Sequence, residues 1–403
     1  MRILVADYIY TPSGYLQNSA ILFNDKILEI EKSEMLIKKY PDAIVEFLEP
    51  HSVIYPGFIN THVHLEFSAN KTQLKYGNFT KWLKSVIQNR VELMSDCSDE
   101  TMRQACHEML KSGITTFGAI SSNGIDMQVC KEAPQRVVFF NEVIGSNEDF
   151  NENIYSDFIH RFDASNTCKS DTFIPAVALH SPYSVNKSLA KKVINFAKKS
   201  NLLITSHLLE SKSEREWLDS ENGELGDFLK ESFGAIKPTN NIDEYIHLFN
   251  EIKTHFVHAV YATKDELNIL YAQGHSIAHC PRSNRLLGCD RLEIENIKCP
   301  ISVATDGLSS NWNLNIFDEL RAALMMHNKG DLELLSNYLI KSITSNAAEI
   351  FNLNCGTVEI DKDADFAIVK LPNEPSSINE IGYLTILHTK NVSRVYISGE
   401  RYV

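Results

Sequence analysis

Between residues 53 and 353, eight short apolar runs alternate with longer segments of helical character. The apolar runs cover residues 53–59, 114–120, 136–143, 173–179, 202–205, 255–257, 276–278 and 301–304. The helical candidates between them include residues 81–93, 99–111, 188–200, 264–273 and 315–328. A strand–helix repeat over about 300 residues predicts a parallel sheet, and eight repeats predict an α/β fold with a closed (β/α)8 TIM barrel. A doubly wound open sheet is the alternative.

The two ends of the chain differ from the middle. Short runs typical of β-strands lie at residues 2–6, 19–23 and 27–30, and again at 357–360, 365–371 and 392–397. Strands at such short spacing predict a small sheet or sandwich, and the two ends of a chain often lie close together. We therefore predict two domains. Residues 1–52 and 354–403 form a composite β-sandwich domain, and residues 53–353 form the barrel domain.

Composition excludes several classes of partner. The 403 residues include 39 Lys and Arg against 52 Asp and Glu, a formal net charge of −13. Such an acidic chain lacks the positive surface that neutralises phosphates, so we expect no nucleic-acid partner. The longest apolar runs, about ten residues, are half the length of a membrane span, so we expect no membrane partner. The eight Cys form no CxxC pair and the N-terminus lacks a secretory signal, which indicates the reducing cytoplasm.

Titratable side chains follow six of the eight apolar runs. Because active sites of TIM barrels lie at the carboxyl ends of the strands, we expect these side chains to converge on one mouth of the barrel. They are His62, His64, His180, His207, Glu210, His258, His279 and Asp306.

The first two of these histidines have the spacing of a metal site. His62 and His64 are two residues apart in a strand, so their side chains point to the same face. Imidazole suits Zn or Fe. With His207 and Asp306, three imidazoles and one carboxylate can hold a divalent metal that keeps an open position for water. The alternative is a set of unrelated histidines at strand ends.

Several segments resemble one known family. The segments PGFINTHVHLEF, SHLLES, FVHAVYAT, AHCPRSNRLLG and SVATDGLSSN are similar to the amidohydrolase superfamily, in its cytosine deaminase and chlorohydrolase-like branch. The resemblance covers nearly the whole chain, since EIDKDADFAIV near the C-terminus is similar to the GKxADLV segment of the family. Asp361 stands there in place of the usual Gly.

The resemblance implies one divalent metal ion held by His62, His64, His207 and Asp306. Binuclear members carry a carboxylated Lys after the fourth strand, where this chain has His180, so a single metal is favoured. Zn is the expected metal, and Fe fits the same ligands.

The resemblance also implies catalytic roles. A divalent metal lowers the pKa of its bound water to about 7, so that hydroxide can attack a ring carbon that carries an amino group. We expect Glu210 to shuttle the proton to the ring nitrogen and then to the leaving amine. Asp306 accepts a proton from the water, and His258 orients that water. The alternative for Glu210 is a solvated loop carboxylate.

Four further residues are candidates for binding the substrate. His180 and His279 can hydrogen-bond the substrate or can be packing residues. Glu66 can accept hydrogen bonds from a ribose or a heterocycle, or can be a structural acceptor. Trp82 in LKYGNFTKWLKS can cover the substrate ring, with ordinary helix packing as the alternative.

The segments HLEFS and CPRSNRLLG together most resemble the aminodeoxyfutalosine deaminases of menaquinone biosynthesis. This resemblance implies a substrate that is a 6-aminopurine nucleoside with a benzoate tail. Arg pairs bidentately with carboxylates, so we expect Arg282 or Arg285 to bind the benzoate, with Ser283 and Asn284 also at the substrate. Surface salt bridges are the alternative for both Arg residues.

Other functions stay open at this point. The same site could deaminate adenosine, S-adenosylhomocysteine or 5′-methylthioadenosine, or could act as a chlorohydrolase or amidohydrolase. A non-catalytic, metal-bound barrel is a third reading, against which the complete set of ligands with Glu210 and His258 argues. A homodimer is compatible with the large, acidic barrel.

Overall fold

A computed structural model describes residues 1–70 and 72–403. These residues fall into two compact units. One consists of Met1–Asn60, Cys106–Phe117 and Asn315–Val403, and the other of Thr61–Ala105 and Gly118–Leu314. The predicted domain limits, 1–52 with 354–403 and 53–353, stay a prediction.

The N-terminal segment supplies five strands, which are β1 (Arg2–Thr11), β2 (Gly14–Phe23), β3 (Ile27–Lys32), β4 (Ile44–Phe47) and β5 (Ser52–Pro56). The next eight strands are β6 (Phe58–Val63), β7 (Ile114–Ser121), β8 (Arg136–Val143), β9 (Phe173–Leu179), β10 (Ile204–Leu208), β11 (Thr254–His258), β12 (Ser276–His279) and β13 (Ile301–Val303). The last three strands are β14 (Phe366–Lys370), β15 (Arg394–Ile397) and β16 (Glu400–Arg401).

Strands β6 to β13 form one sheet in which every strand lies beside its neighbour in sequence. Pairings within this sheet, such as β8 with β9 and β10 with β11, are parallel. The first and last strands meet at their carboxyl ends, where the backbone N–H of Asp306 donates to the carbonyl of His62 at 3.1 Å. The predicted (β/α)8 barrel is confirmed.

Strands from both chain ends form a second sheet, in the order β16-β15-β14-β5-β1-β2-β3 with β4 beside β1. The sheet folds over itself, because the ring of Phe23 on β2 contacts Phe366 on β14 and Tyr396 on β15, at 5.3 and 5.8 Å between centroids. These rings belong to one buried apolar cluster. The predicted β-sandwich built from both chain ends is therefore confirmed.

Two details of the predicted strands were wrong. The run at 53–59 is not one strand, since it divides at Gly57 into β5 of the end sheet and β6 of the barrel. A Cβ at Gly57 would lie only 2.1 Å from Oγ1 of Thr115, so only glycine fits there. Residues 357–360 contain no strand. The chain turns there because Asp361 has φ 69°, a left-handed conformation that Asp tolerates better than most residues.

The helices agree with the predicted segments to within a few residues. For example, the helix predicted at 99–111 is present with those limits, and its first turn carries Asp99 and Glu100. Among the described residues, no helix combines the length and apolar character that crossing a bilayer requires. The helices are α1 (Ser33–Lys39), α2 (Phe79–Asp96), α3 (Asp99–Lys111), α4 (Met127–Glu132), α5 (Asn151–Thr167), α6 (Lys187–Lys199), α7 (Lys212–Ser220), α8 (Gly223–Phe233), α9 (Ile242–His247), α10 (Lys264–Ala272), α11 (Pro281–Leu286), α12 (Ile316–Met326), α13 (Leu332–Ser342), α14 (Ser345–Ile350) and α15 (Ile381–His388).

Candidate active site

The four predicted metal ligands meet at the carboxyl end of the barrel. The Nε2 atom of His62 lies 3.1 Å from Nε2 of His64 and 3.3 Å from Nε2 of His207. The Oδ1 atom of Asp306 lies 3.5 Å from Nε2 of His62 and 3.6 Å from Nε2 of His64. His62 lies in β6, His64 directly follows β6, and His207 lies in β10. Their imidazoles face the carboxylate of Asp306, which follows β13.

These distances fit a site for one metal ion. With Zn–N bonds of 2.0–2.1 Å, neighbouring ligand atoms of one ion lie about 3–4 Å apart, and an ion that expands to five ligands keeps a position for water beside these four. Hydrogen bonds cannot explain the cluster alone, because a neutral imidazole has a single N–H to donate. The donor set of three nitrogens and one oxygen therefore suits a divalent ion such as Zn, with Fe also accommodated.

Asp306 is held in place by three hydrogen bonds. The hydroxyls of Ser283 and Ser310 donate to Oδ2 at 2.7 and 2.9 Å, and the backbone N–H of Gly307 donates to Oδ1 at 2.9 Å. Burial alone would raise the pKa of Asp306, but the hydrogen bond and charge of His62 outweigh it, so the pKa lies well below its usual value. Asp306 also has φ 56°, which directs its side chain into the mouth.

Glu210 lies opposite the metal ligands and faces His258. Its Oε1 atom is 3.6 Å from Nε2 of His258, and ligand atoms of Glu210, His258 and Asp306 all lie within 4.8 Å of one another. Burial, followed by the negative charges of Asp306 and Glu214, raises the pKa of Glu210 well above its usual value. Glu210 is therefore suited to hold a proton near neutral pH, as a general acid must.

His258 is a neutral imidazole with a defined tautomer. Burial lowers its pKa to about 3. The side-chain amide of Asn284 lies 3.0 Å from Nδ1 of His258, and with Nδ2 of Asn284 as the donor the ring proton lies on Nε2, which faces Glu210. Asn284, predicted to bind substrate, thus contacts His258, and Ser283, predicted likewise, contacts Asp306.

A second buried carboxyl group supports the backbone at Glu210. Glu214 accepts the backbone N–H groups of Leu209 and Glu210 at 3.2 and 2.8 Å. It lies in the first turn of α7, whose N-cap Ser211 accepts the N–H of Glu214. Burial raises the pKa of Glu214 to about 7. These hydrogen bonds hold in place the backbone of Leu209 and Glu210, which directly follows β10.

A cavity of about 410 Å³ opens in front of these residues. His64, His207, Glu210, His258 and Asp306 line its inner end. One face of α2 lines a wall, at the helical spacing of three and four residues, and this face consists of Phe79, Trp82, Leu83, Val86, Ile87 and Arg90. Three apolar residues of α8 line the cavity as well, namely Phe228, Leu229 and Phe233.

Trp82 and His180 both line the cavity, where the sequence predicts substrate contacts for them. Nε1 of Trp82 donates to the carbonyl of Ser309 at 2.8 Å, which holds the indole against the wall. Nδ1 of His180 lies 2.6 Å from the hydroxyl of Ser184, and burial lowers the pKa of His180.

Two other predicted substrate contacts lie elsewhere. Glu66 accepts the backbone N–H groups of Ser122, Asn123 and Ile125, which is the structural role left open above. His279 is fully buried and does not line the cavity.

The two arginines of CPRSNRLLG do not reach the cavity either. The guanidinium of Arg282 donates to the side chain and the carbonyl of Asn313 at 2.7 and 3.1 Å, and it lies 4.5 Å from the ring of Trp312. Arg285 is exposed at the end of α11. Neither is among the described residues that line the cavity, so the expected contact with a benzoate stays a prediction that this cavity does not support.

Glu142 and Arg90 are among the residues that line the cavity and that the sequence analysis missed. Glu142 is the only acidic residue in the apolar run at 136–143, and a buried carboxyl group in such a strand was a usable signal. Arg90 extends the apolar stripe of α2 by one more helical turn. Because Arg90 lies outside any motif, only its spacing from Trp82 and Val86 could have indicated its position.

Comparison with known proteins agrees with this geometry. Residues 53–402 match the amidohydrolase family. The chain is 42% identical over 404 residues to the aminodeoxyfutalosine deaminase of a Nitratiruptor species, with 100% of both chains covered. It is 36% identical over 398 residues to a Helicobacter pylori protein named adenosine deaminase, with 96% of this chain and 95% of that protein covered.

A solved structure is similar over the whole chain. The crystal structure of Helicobacter pylori aminofutalosine deaminase in complex with methylthio-coformycin has a TM-score of 0.95 and 33% sequence identity, and 100% of both chains is covered. The family resemblance drawn from the motifs is thus confirmed. The chain belongs to the amidohydrolase family and is a hydrolase of carbon–nitrogen bonds.

Proposed function

We propose that the protein is a divalent-metal-dependent deaminase that converts 6-aminodeoxyfutalosine to futalosine and ammonia in menaquinone biosynthesis. The observation that carries the proposal is the cavity itself. Three of the four predicted metal ligands and Glu210 line it, an apolar face of α2 forms a wall, and Arg90 on that helix is the only Lys or Arg among the described lining residues. The relative of the same name, 42% identical over its full length, supports the same reaction.

The metal would be held by His62, His64, His207 and Asp306, whose ligand atoms lie close enough together to share one ion. When bound, a divalent ion supplies Lewis acidity and makes hydroxide available as a nucleophile at neutral pH. His207 is fixed for this role because its Nδ1 lies 2.7 Å from the carbonyl of His180, which directs Nε2 toward His62.

The protein's own residues move the protons. Asp306 is ionised and accepts a proton from the attacking water. Glu210 is protonated because of its raised pKa, and it donates to the ring nitrogen next to the carbon under attack. His258, neutral with its proton on Nε2, hydrogen-bonds the attacking oxygen. Glu210 then takes the remaining proton of the attacking oxygen and passes it to the amine, so that the carbon–nitrogen bond breaks and ammonia leaves. The proton held by Asp306 restores the acid form of Glu210, and the ring nitrogen keeps its proton in the product.

The α2 wall of the cavity suits a carboxylate on an aromatic tail. Trp82 and Arg90 are eight residues apart on α2, which is about 12 Å along a helix. Between them the wall is apolar, and Arg90 is the only Lys or Arg among the described residues that line the cavity. One N–H group of Arg90 donates to Oδ1 of Asn123 at 3.1 Å. The remaining donors of the guanidinium are available for a carboxylate.

Replacing Arg90 by Met is therefore expected to raise KM for 6-aminodeoxyfutalosine about tenfold, at the low end of the range for hydrogen bonds to charged groups because Arg90 is exposed. The value of kcat should change little, and adenosine, which has no carboxylate, should be handled as before. Steady-state kinetics on both nucleosides measure this.

Arg285→Met is the matched control, since Arg285 is also an exposed arginine but lies away from the cavity. It should leave KM unchanged. A rise in KM in Arg285→Met, with none in Arg90→Met, would restore the carboxylate contact expected from the sequence motif.

The reaction itself is tested by ammonia release from the Zn-loaded protein. The panel consists of 6-aminodeoxyfutalosine, adenosine, S-adenosylhomocysteine, 5′-methylthioadenosine, cytosine and guanine. We expect kcat/KM to be highest for 6-aminodeoxyfutalosine. A preference for adenosine, which the name of the Helicobacter pylori relative makes the second candidate, would keep the mechanism and overturn the substrate. No ammonia release from any compound of the panel would contradict deamination of these compounds altogether.

A further inference from the structure

The cavity contains a carboxyl group that the deamination steps do not use. Glu142 is the next-to-last residue of β8, is 1% exposed and lines the cavity. Its Oε2 atom accepts a hydrogen bond from the hydroxyl of Ser122. Its Oε1 atom is buried and accepts none from any residue in 1–70 or 72–403. A buried acceptor without a donor is costly, so the site is built for a ligand that supplies one.

Glu142 belongs to a different group of side chains from the residues that would move protons. A carboxylate oxygen of Glu142 lies within 4.8 Å of a ring nitrogen of His180 and of one of His207. Glu210, His258 and Asp306 form their own group at the same spacing. Glu142 is thus close to the bound substrate but outside the group that moves protons at the carbon under attack.

The chemistry of the substrate limits which donor can reach it. In a 6-aminopurine nucleoside the amino group carries the only N–H bonds of the ring system, and that group leaves at the Glu210 end. The benzoate tail offers acceptors only. The remaining hydrogen-bond donors are the hydroxyls of the sugar.

We propose that Glu142 determines specificity for the sugar, by accepting a hydrogen bond from a ribose 2′- or 3′-hydroxyl of the nucleoside substrate. The inference rests on the proposed function for the class of substrate and adds a recognition site to it. Ser122 orients the carboxylate by its hydrogen bond to Oε2, which leaves Oε1 for the hydroxyl. The site therefore distinguishes ribonucleosides from their deoxy analogues.

The test measures the affinity for the sugar hydroxyls directly. Adenosine, 2′-deoxyadenosine, 3′-deoxyadenosine and 5′-deoxyadenosine are titrated calorimetrically into the Zn-loaded Glu210→Gln protein, in which turnover is expected to be about 10²–10⁴-fold slower than in the parent. Loss of the 2′- or the 3′-hydroxyl should weaken binding about ten- to hundredfold, the range for a hydrogen bond to a charged group. Loss of the 5′-hydroxyl should cost much less.

The same titrations are repeated after Glu142→Gln and Glu142→Ala in that background. In both variants the penalty for the missing hydroxyl should fall to less than about threefold, because the charged acceptor is gone. Glu148→Gln is the matched control, an exposed glutamate in the loop after the same strand, and it should keep the full penalty.

Three outcomes would contradict the inference. Equal affinities for adenosine and all its deoxy analogues in the parent protein would overturn the inference alone, with no change at Glu142 needed. A hydroxyl penalty that persists in both Glu142 variants would also overturn it. No binding of any of these four nucleosides would overturn the inference, whereas the proposed function is overturned only by the ammonia-release panel that contains 6-aminodeoxyfutalosine.

Discussion

Glu210→Gln is expected to retain a full complement of metal and to lose most turnover. The substitution keeps the size of the side chain but removes the proton that Glu210 would donate to the ring nitrogen. A positioned general acid–base group contributes about 10²–10⁴-fold, so we expect kcat to fall by that factor. Ammonia release and metal analysis on the same sample measure the two effects.

The pH profile gives a second readout for Glu210. Its pKa is raised, so the protonated form needed for the acid step is present below that pKa and is lost as the pH rises through it. Turnover should decline on the alkaline side for this reason, and the residual activity of Glu210→Gln should lack that limb. Glu231→Gln, an exposed glutamate on α8, is the control and should behave like the parent. Metal loss in Glu210→Gln would mean that Glu210 is itself a ligand.

Removing a metal ligand is expected to abolish metal and activity together. In Asp306→Ala the four-atom set loses its only oxygen, and in His62→Ala it loses the imidazole that lies within 3.5 Å of the other three ligand atoms. We expect metal affinity to fall by more than the roughly 10–100-fold that outer hydrogen-bond partners of a ligand contribute. Metal content after dialysis and rescue of activity by added Zn measure this.

A graded comparison makes that prediction sharper. Ser310 donates to Oδ2 of Asp306 and does not belong to the four ligands, so Ser310→Ala should lower metal affinity by about 10–100-fold and respond to added Zn. His160→Ala, at an exposed position of α5, should change nothing. Activity that survives in Asp306→Ala without bound metal would contradict the assignment of the site.

The barrel, and the convergence of the four predicted ligands, could be predicted because both depend on short-range patterns. A strand places residues 62 and 64 on one face, and parallel strands bring their carboxyl ends to one mouth, so the positions along the chain determine the meeting point. The division of the run at 53–59 into two strands at Gly57 could not be predicted from the pattern of apolar residues, since both halves of the run are equally apolar.

The substrate contacts were harder to predict, because a charged side chain that is already hydrogen-bonded within the protein is not free to bind the substrate, and the sequence does not show which side chains these are. Arg282 lies in a recognisable motif but is occupied by Asn313 and Trp312. Glu66 likewise lies next to the His pair but is saturated by backbone N–H groups of residues 122–125. Arg90 and Glu142 lie outside the motifs, and only tertiary structure brings them to the cavity.

The α2 wall has a consequence for how such enzymes diversify. The atoms that would carry out the chemistry come from the ends of barrel strands, whereas one wall of the cavity is formed by a face of a helix that follows the first of them. Exchanges at Val86, Ile87 or Arg90 would reshape this wall without disturbing the strands. Substrate preference can therefore change while the fold and the type of reaction stay the same.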